Sequence, residues 1–400
     1  MSLLRDTWYV AAWSRELPAG KLLASTLLGE PLVLWRTADG ANTALEDRCV
    51  HRHAPLSLGR LEGDALRCGH HGLKFAPSGQ CIEVPALALV PDSGQGQRAV
   101  CVRRYAVVEH RHWVMVWMGD AAMANPSLLL DNFSCDSAEW ACCPGYVHYQ
   151  TPSEPIADNL LDFSHLSYVH AATFGGGDDD TLARILPQVQ RLLHGVRVRR
   201  DVPHVPPPAH YQPLWAYQRP VDRWLPYDFI LPGVLLMHSG AQPAGMSAED
   251  AKAHDVGVRF HSCQALTREA ATSTYYFFME AHPAYRGDAS VTDALHQGIV
   301  RAFDEDHAMI SAQWQNIQRY LQRPMLPLAM DKALLHYRAV FAQALAAHAP
   351  SFEPVLQARV TTPAIGVNQA PPTAPKPHDR KHCPSIRPET AASLPRVPAA

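Results

Sequence analysis

The first 120 or so residues carry their apolar side chains in short runs. Leu32-Val33-Leu34-Trp35, Val100-Cys101-Val102, Val107-Val108 and Trp113-Val114-Met115-Val116-Trp117 are separated by Gly, Pro, Asp and Asn. Runs this short, rich in β-branched and aromatic residues and bounded by turn formers, predict strands. Between about 40 and 85 turn residues crowd together and helical periodicity is weak. From about 150 the pattern changes. A helical stretch is predicted over 154–171, followed by the polar loop Gly175-Gly176-Gly177-Asp178-Asp179-Asp180. Strand-like segments recur at 212–218, 226–239, 256–267 and 273–280. A long helix is predicted over 291–322 and another apolar-periodic segment over 330–348. From Pro363 to the last residue there are nine prolines in thirty-eight positions. Such a composition buries too little apolar surface to offset its ordering entropy and reads as a disordered tail. The chain divides into 1–125, 140–350 and the tail 363–400.

Composition narrows the function. The chain has 400 residues, 47% hydrophobic and 18% charged, which suits a folded protein with a sizeable core. A net charge of −3 gives no electrostatic case for nucleic acid or an anionic membrane as partner. The start, Met-Ser-Leu-Leu-Arg-Asp-Thr-Trp, lacks the apolar core of a signal peptide, and no run of about 18 apolar residues is present, so a cytoplasmic location is expected. Nine cysteines, an odd number, do not resemble a secreted disulfide framework. In a reducing compartment, clustered Cys points instead to metal or chemistry.

Cys49-Val50-His51 and Cys68-Gly69-His70-His71 form such a cluster, as Cys-x-His and Cys-x-x-His with sixteen residues between the pairs. Each is followed by turn residues (Pro55 and Gly59; Gly72, Pro77 and Gly79). A [2Fe–2S] centre takes two Cys on one iron and two His on the other, and one Cys and one His from each loop suits it. Structural zinc, the alternative for a Cys2His2 set, usually recruits Cys-x2-4-Cys and His-x3-5-His instead of two mixed pairs. The expected ligands are Cys49, His51, Cys68 and His71, with His53 and His70 off the spacing and His70 the rival to His71.

A second constellation lies in Asp158-Asn159-Leu160-Leu161-Asp162-Phe163-Ser164-His165-Leu166-Ser167-Tyr168-Val169-His170. Two His and one carboxylate with open positions is the ligand set of non-haem Fe(II) oxygenases. His165 and His170 are five apart, about 140° around an ideal helix, so they share one metal only if the helix is distorted or ends between them. The alternative is an amphipathic helix with histidines on its polar face. Asp162 lies three before His165, on a neighbouring position of one helix face. Ser153 is expected to cap this helix, with Pro155 in the first turn.

For the third ligand, Asp304, Glu305 and Asp306 compete. The apolar stripe of the long helix runs Leu295, Ile299, Ala302, Met309, Ile310, Gln313 and Ile317, and Asp306 falls on it. Asp304 lies about 160° away and Glu305 about 100° away. A carboxylate on the buried face needs a cation or a donor. Asp306 is therefore the expected ligand, a salt bridge to an internal Arg being the alternative.

The stretch Cys49-Val50-His51-Arg52-His53-Ala54-Pro55-Leu56-Ser57 through Cys68-Gly69-His70-His71-Gly72-Leu73-Lys74-Phe75 resembles the Rieske domain of aromatic-ring oxygenases. Trp8-Tyr9-Val10-Ala11-Ala12 is similar to the start of their O-demethylase branch. Asn159, Asp162, His165 and His170 match the family's Asn-x2-Asp-x2-His-x4-His motif, and Phe303-Asp304-Glu305-Asp306 resembles its carboxylate-bearing helix segment. His70 departs from the pattern, where the family commonly has an aromatic residue. The layout is closest to the vanillate and dicamba branch over most of residues 5–325.

The resemblance implies an α+β fold: an N-terminal all-β Rieske domain, then a helix-grip-like catalytic domain with a central antiparallel sheet. It implies a [2Fe–2S] cluster, a mononuclear Fe(II) bound by His165, His170 and Asp306, and a homotrimer. In that trimer Asp162 joins His165 to His71 of a neighbouring subunit. NAD(P)H and flavin would sit on a separate flavin- and ferredoxin-type reductase, since no GxGxxG strand–helix unit and no plant-type four-Cys spacing appears. The branch uses O2 to insert one oxygen into a methoxy or methyl C–H bond of a small aromatic compound. Phe229, Leu231, Met237, His238 and Gln264 are the pocket candidates, with ordinary sheet core as the alternative for each. Ring cis-dihydroxylation, a pure Rieske electron carrier and a zinc-stabilised binding module are the rival readings.

Overall fold

A computed structural model describes residues 3–85, 100–131 and 136–347. The proline-rich tail lies outside them.

Three antiparallel sheets make up the N-terminal part. Trp8–Trp13, Trp113–Trp117 and Val107–His110 form one. Leu23–Leu27, Glu30–Arg36, Asn42–Glu46 and Arg104–Tyr105 form the second, and the short strands Arg60–Glu62, Ala65–Arg67, Lys74–Phe75 and Cys81–Glu83 the third. Two of the apolar runs read from the sequence are buried, Leu32 to Trp35 at 0% exposed and Trp113 to Trp117 at no more than 2%, and Val107 and Val108 are half-buried. The predicted segment at Val100 is the exception, since only an isolated bridge, Gln80 to Cys101, pairs there.

The C-terminal part is built on a nine-stranded antiparallel sheet. Its order is Trp140–Tyr149, Ser273–Pro283, Val258–Ala270, Val234–Pro243, Tyr227–Ile230, Gly195–Arg199, Gln188–Leu192. Val221–Trp224 pairs with both Val234–Pro243 and Asp201–Val205. Helices α2 (Ala289–Arg319) and α3 (Lys332–Ala347) follow the predicted segments, whereas α1 (Ser153–Leu161) covers only the first half of the predicted 154–171. The strand expected at 212–218 is absent: a short 3-10 turn, Ala209–Tyr211, and further turns occupy that region. The segment 226–239 is two strands, split at the tight turn Leu231-Pro232-Gly233.

The period of two along each strand divides the sheet's neighbours. One face carries Tyr227, Phe229, Leu235, Leu266, Tyr276 and Phe278, packed with Leu160 and Leu161 of α1, Ile299, Phe303 and Ile310 of α2, and Tyr337 and Val340 of α3. The other carries Val234, Cys263, Ala265, Phe277, Met279 and Ala281, packed against Trp8, Val10, Trp13, Trp113, Met115 and Trp117 of the N-terminal part. The central sheet is thus covered by helices on one side and by the N-terminal strands on the other. On α2 the apolar stripe is buried through Ile310, whereas Met309 is 55% exposed and Gln313 faces solvent, so the last turns run past the core.

Candidate functional site

The two Cys-His loops are near copies of one backbone turn. Cys49 N–H donates to Ala54 O at 2.8 Å and His53 N–H returns to Cys49 O at 2.9 Å. In the second loop Cys68 N–H donates to Leu73 O at 2.8 Å and Gly72 N–H to Cys68 O at 3.1 Å. The residue closing each turn is left-handed, His53 at φ 59° and Gly72 at φ 75°. The loops press together through glycines: a Cβ on Gly69 would lie 2.8 Å from Leu58 O, and one on Gly59 would lie 2.2 Å from Arg67 O. Both cysteines are buried (1% and 2% exposed) while His51, His70 and His71 face outward. The His51 and His71 rings are 4.5 Å apart. Burial, with the Cys68 sulfur alongside, pushes the Cys49 thiol up, and the backbone N–H groups of His51 and Arg52 oppose this by pointing at its sulfur. Inner thiolates, outer imidazoles and sulfur-directed amides are the donor set a [2Fe–2S] cluster of the Rieske kind requires.

The second site forms where a helix breaks. Helix α1 ends at Leu161, and Asp162 leaves helical geometry (φ −130°, ψ 98°) to cap a 3-10 turn, Phe163–Ser167. A single π turn, Ala171–Gly175, follows His170. These changes of winding bring together two histidines that an unbroken helix would hold about 140° apart. Ser153 lies inside the first turn of α1 and does not cap it; the cap position is Pro152.

Among the described residues, His165, His170 and Asp306 are the group of three gathered closely enough to hold one ion, their ligand atoms within 4.8 Å of one another. Asp306 Oδ1 lies 3.1 Å from His170 Nε2 and 3.7 Å from His165 Nε2. It is 4% exposed, and Oδ1 has no hydrogen-bond partner. The other nitrogen of each ring is committed: His165 Nδ1 to the carbonyl of Asp162, His170 Nδ1 to Glu305 Oε2 at 2.7 Å. Both partners are acceptors, so each Nδ1 carries the proton and each Nε2 presents a lone pair towards Asp306. Two lone pairs and a buried carboxylate oxygen facing one another fit a cation between them. Burial holds His165 below its ordinary pKa. Burial also lowers His170, but the Asp306 and Glu305 carboxylates outweigh it and the net shift is upward, as expected where positive charge is drawn in.

Two expectations change here. The Asp162 carboxylate does not accept from His165; its main-chain carbonyl does. Having left the helix, the side chain turns to Ser164, accepting from the backbone N–H at 2.9 Å and from the hydroxyl at 2.7 and 2.6 Å. It also faces the buried Arg200 at 3.6 Å. Glu305, set aside as a ligand, orients a candidate one: it holds both His170 and the Thr173 hydroxyl, the latter at 2.9 Å.

An apolar cavity opens beside the trio, walled by Leu160, Phe163, Leu166, Phe174, Leu225, Met237, Phe260, Phe278, Ile299 and Phe303. Of the pocket candidates, Met237 and Gln264 line it, and Gln264 Oε1 accepts from Tyr276 at 2.7 Å. Phe229 and Leu231 are packed in the core, and His238 points out of the opposite face of its strand, one residue out of phase with Met237. Asn159 also lines the cavity. Three polar features had no signal in the sequence. His210 Nε2 bonds Glu280 at 2.6 Å, Ser262 reaches the same carboxylate at 3.3 Å, and Arg223 is a buried cation. Distant segments bring them together, so no local spacing announces them.

Residues 7–93 match the Rieske [2Fe-2S] domain and residues 149–347 the vanillate O-demethylase oxygenase C-terminal domain. The toluene-4-sulfonate monooxygenase system iron-sulfur subunit of Comamonas testosteroni is 39% identical over 334 residues, covering 83% of this chain and 94% of that protein. The chain belongs to the Rieske non-haem iron oxygenases. A vanillate O-demethylase oxygenase subunit from a Pseudomonas species is 32% identical over 371 residues, 89% of this chain and 98% of the relative. A crystal structure of dicamba monooxygenase bound to 3,6-dichlorosalicylic acid superposes with a TM-score of 0.76 at 28% identity, over 87% of this chain and all of that one. The protein is thus the oxygenase component of a multicomponent system, with a Rieske cluster, a non-haem iron and a separate reductase as electron donor. Among the described residues no helix is long and apolar enough to cross a membrane.

Proposed function

We propose that the enzyme inserts one atom of O2 into a methoxy or methyl C–H bond of a small aromatic compound, most directly as an O-demethylase. The observation that carries this reading is the trio His165, His170 and Asp306 opening onto a mostly apolar cavity, a lining that suits an arene. Cys49, His51, Cys68 and His71 hold the cluster, and His165, His170 and Asp306 the iron. When bound there, a ferrous ion with open coordination positions supplies O2 activation next to the substrate. The chain's own part is positional. Asp162 and Glu305 fix the tautomers of His165 and His170; Leu160, Phe174 and Phe278 keep bulk water away; Asn159 and Gln264 offer hydrogen bonds within the cavity.

The balance is one methyl group, O2, two electrons and two protons giving a hydroxymethyl group and water. On a methoxy carbon the hydroxymethyl ether then loses formaldehyde to leave a phenol. The toluene-4-sulfonate relatives favour a second reading, in which the carbon oxidised is an aryl methyl and the alcohol is the product. The electrons come from NAD(P)H through a flavin- and ferredoxin-type reductase, in keeping with a cytoplasmic setting. In a homotrimer, the half-buried Asp162 carboxylate would face His71 of a neighbouring subunit and join cluster to iron.

The test is turnover with a surrogate reductase on vanillate and on toluene-4-sulfonate. Formaldehyde with a phenol supports demethylation, and a benzyl alcohol supports methyl hydroxylation. A cis-diol, or O2 uptake that is unchanged in His165→Ala, overturns the proposal.

A further inference from the structure

Two arginines near this site are almost fully buried, and they are treated differently. Arg200, 3% exposed, has the Asp162 carboxylate 3.6 Å away. Arg223, 5% exposed, has no carboxylate within salt-bridge distance among the described residues. Its Nε is buried without any partner, and Nη1 has only a long contact of 3.4 Å to the carbonyl of Gly175. Its guanidinium sits 5.5 Å above the Tyr211 ring. Its side chain nevertheless lines the cavity that holds His165, His170 and Asp306.

The sheet register keeps Arg223 away from the Glu280 carboxylate of the same cavity. Two acids line the cavity: Asp306, which faces His165 and His170, and Glu280. Arg223 pairs with Ala241, while Glu280 is opposite Ser262, which is opposite Met237. Arg223 and Glu280 are therefore three strands apart and four positions out of line along Val234–Pro243, on the order of 20 Å between backbones. Glu280 is in any case already bonded to His210 and Ser262. A guanidinium cannot shed its proton, and burying it unpaired is costly unless an anion arrives.

We propose that Arg223 is the anchor for an oxyanion on the substrate, which makes the substrate class an arene bearing a carboxylate or sulfonate away from the carbon that is oxidised. This rests on reading the cavity as the substrate site. A planar or tetrahedral oxyanion accepts two parallel N–H bonds from the guanidinium fork. The ring then lies among Phe174, Phe260 and Met237, and its far end reaches the histidine trio.

Equilibrium binding to the oxygenase, without reductase or O2, tests this separately from turnover. Wild-type protein is titrated with toluene-4-sulfonate, with 4-methylbenzoate and with the neutral isostere methyl p-tolyl sulfone. At least one anion should bind about 100-fold more tightly than the sulfone, the scale of a desolvated charge pair. Comparing the two anions shows which oxyanion the site takes. Arg223→Gln should erase the preference and Arg223→Lys should keep part of it, with cluster absorbance confirming that each variant is folded. Equal binding of anion and sulfone by the wild type, or an anion preference kept in Arg223→Gln, overturns the proposal. If Arg223→Gln does not fold, the wild-type comparison decides alone. Arg223-dependent anion binding without oxidation of any methyl or methoxy group supports the anchor and removes the oxidation reading instead.

Discussion

Glu305 accepts a hydrogen bond from His170 Nδ1 at 2.7 Å while its neighbour Asp306 faces His170 Nε2 at 3.1 Å. Consecutive acids on one helix therefore grip opposite edges of one imidazole, the first setting the tautomer and the second facing it across the candidate ion site. Removing Glu305 leaves His170 free to turn or to move its proton to the ligating nitrogen. Glu305→Ala should weaken iron binding by about 10–100-fold, the usual effect of losing such a support. Glu305→Gln, which still accepts, should lose less. Iron retention during dialysis against a chelator measures this, and equal retention in both variants and wild type contradicts it.

The Asp162–Arg200 pair makes a prediction about stability. Asp162→Asn keeps a good cap for the turn at Ser164 but strips Arg200 of its counter-charge. Because Asp162 is partly exposed, the loss should be about 1–3 kcal/mol in unfolding free energy. Asp162→Asn combined with Arg200→Met should be less destabilised than the sum of the two single changes. Additive effects in thermal or urea unfolding would deny the pairing.

Acid sensitivity of the cluster domain follows from Glu62. Its carboxylate gathers Arg67 at 2.7 Å, Arg60 at 2.9 Å and Lys74 at 3.3 Å, and Arg67 chiefly pulls its pKa down to about 2. Arg67 also holds the carbonyl of Gly72 at 2.7 Å, across the second Cys-His loop. A carboxyl held below its unfolded value contributes stability that is present above about pH 4.5 and is lost as pH falls towards about 2. Glu62→Gln removes that contribution, so cluster absorbance should bleach at a higher pH than in wild type. Superimposable bleaching curves would contradict the assignment.

The opposite orientation of two adjacent residues separates the cavity from the outer face. Met237→Trp should fill the cavity and lower kcat/KM by about tenfold or more, as overpacking of a shaped site does. His238→Ala should leave the same kinetics within about twofold, a surface change away from the site. Steady-state assays with the reductase check both, and a reversed order would contradict the placement of Met237 in the cavity.

How much of this was legible in sequence depends on how local each signal is. The Rieske loops were readable because the four candidate ligands sit in two short turns with a distinctive spacing. The burial of Asp306 was readable because the helix period put only that acid on the buried stripe, and a helix break before His170 was the condition that its five-residue spacing from His165 set for sharing a metal. Other features required the fold. The strands at 188–205 and 221–224 alternate too weakly to stand out, and the segment 212–218, apolar enough for a strand, packs Leu214, Trp215 and Tyr217 from irregular turns. Asp162 kept its place but exchanged roles between side chain and carbonyl, because the helix ends at that residue. His238 and Met237 could not be told apart without knowing which face of the strand meets the helices. Glu305, His210, Glu280 and Arg223 act through partners far away in sequence, where no period or spacing points.

The central claim, a histidine-ligated cluster feeding a separate iron held by His165, His170 and Asp306, is tested most directly by iron and acid-labile sulfide analysis with EPR of dithionite-reduced protein. Wild-type enzyme should hold about three irons and about two sulfides per chain, and His165→Ala combined with Asp306→Ala should hold about two of each. The cluster signal should be the same in both. Zinc in place of iron and sulfide, or a double variant that keeps its third iron, would contradict the account.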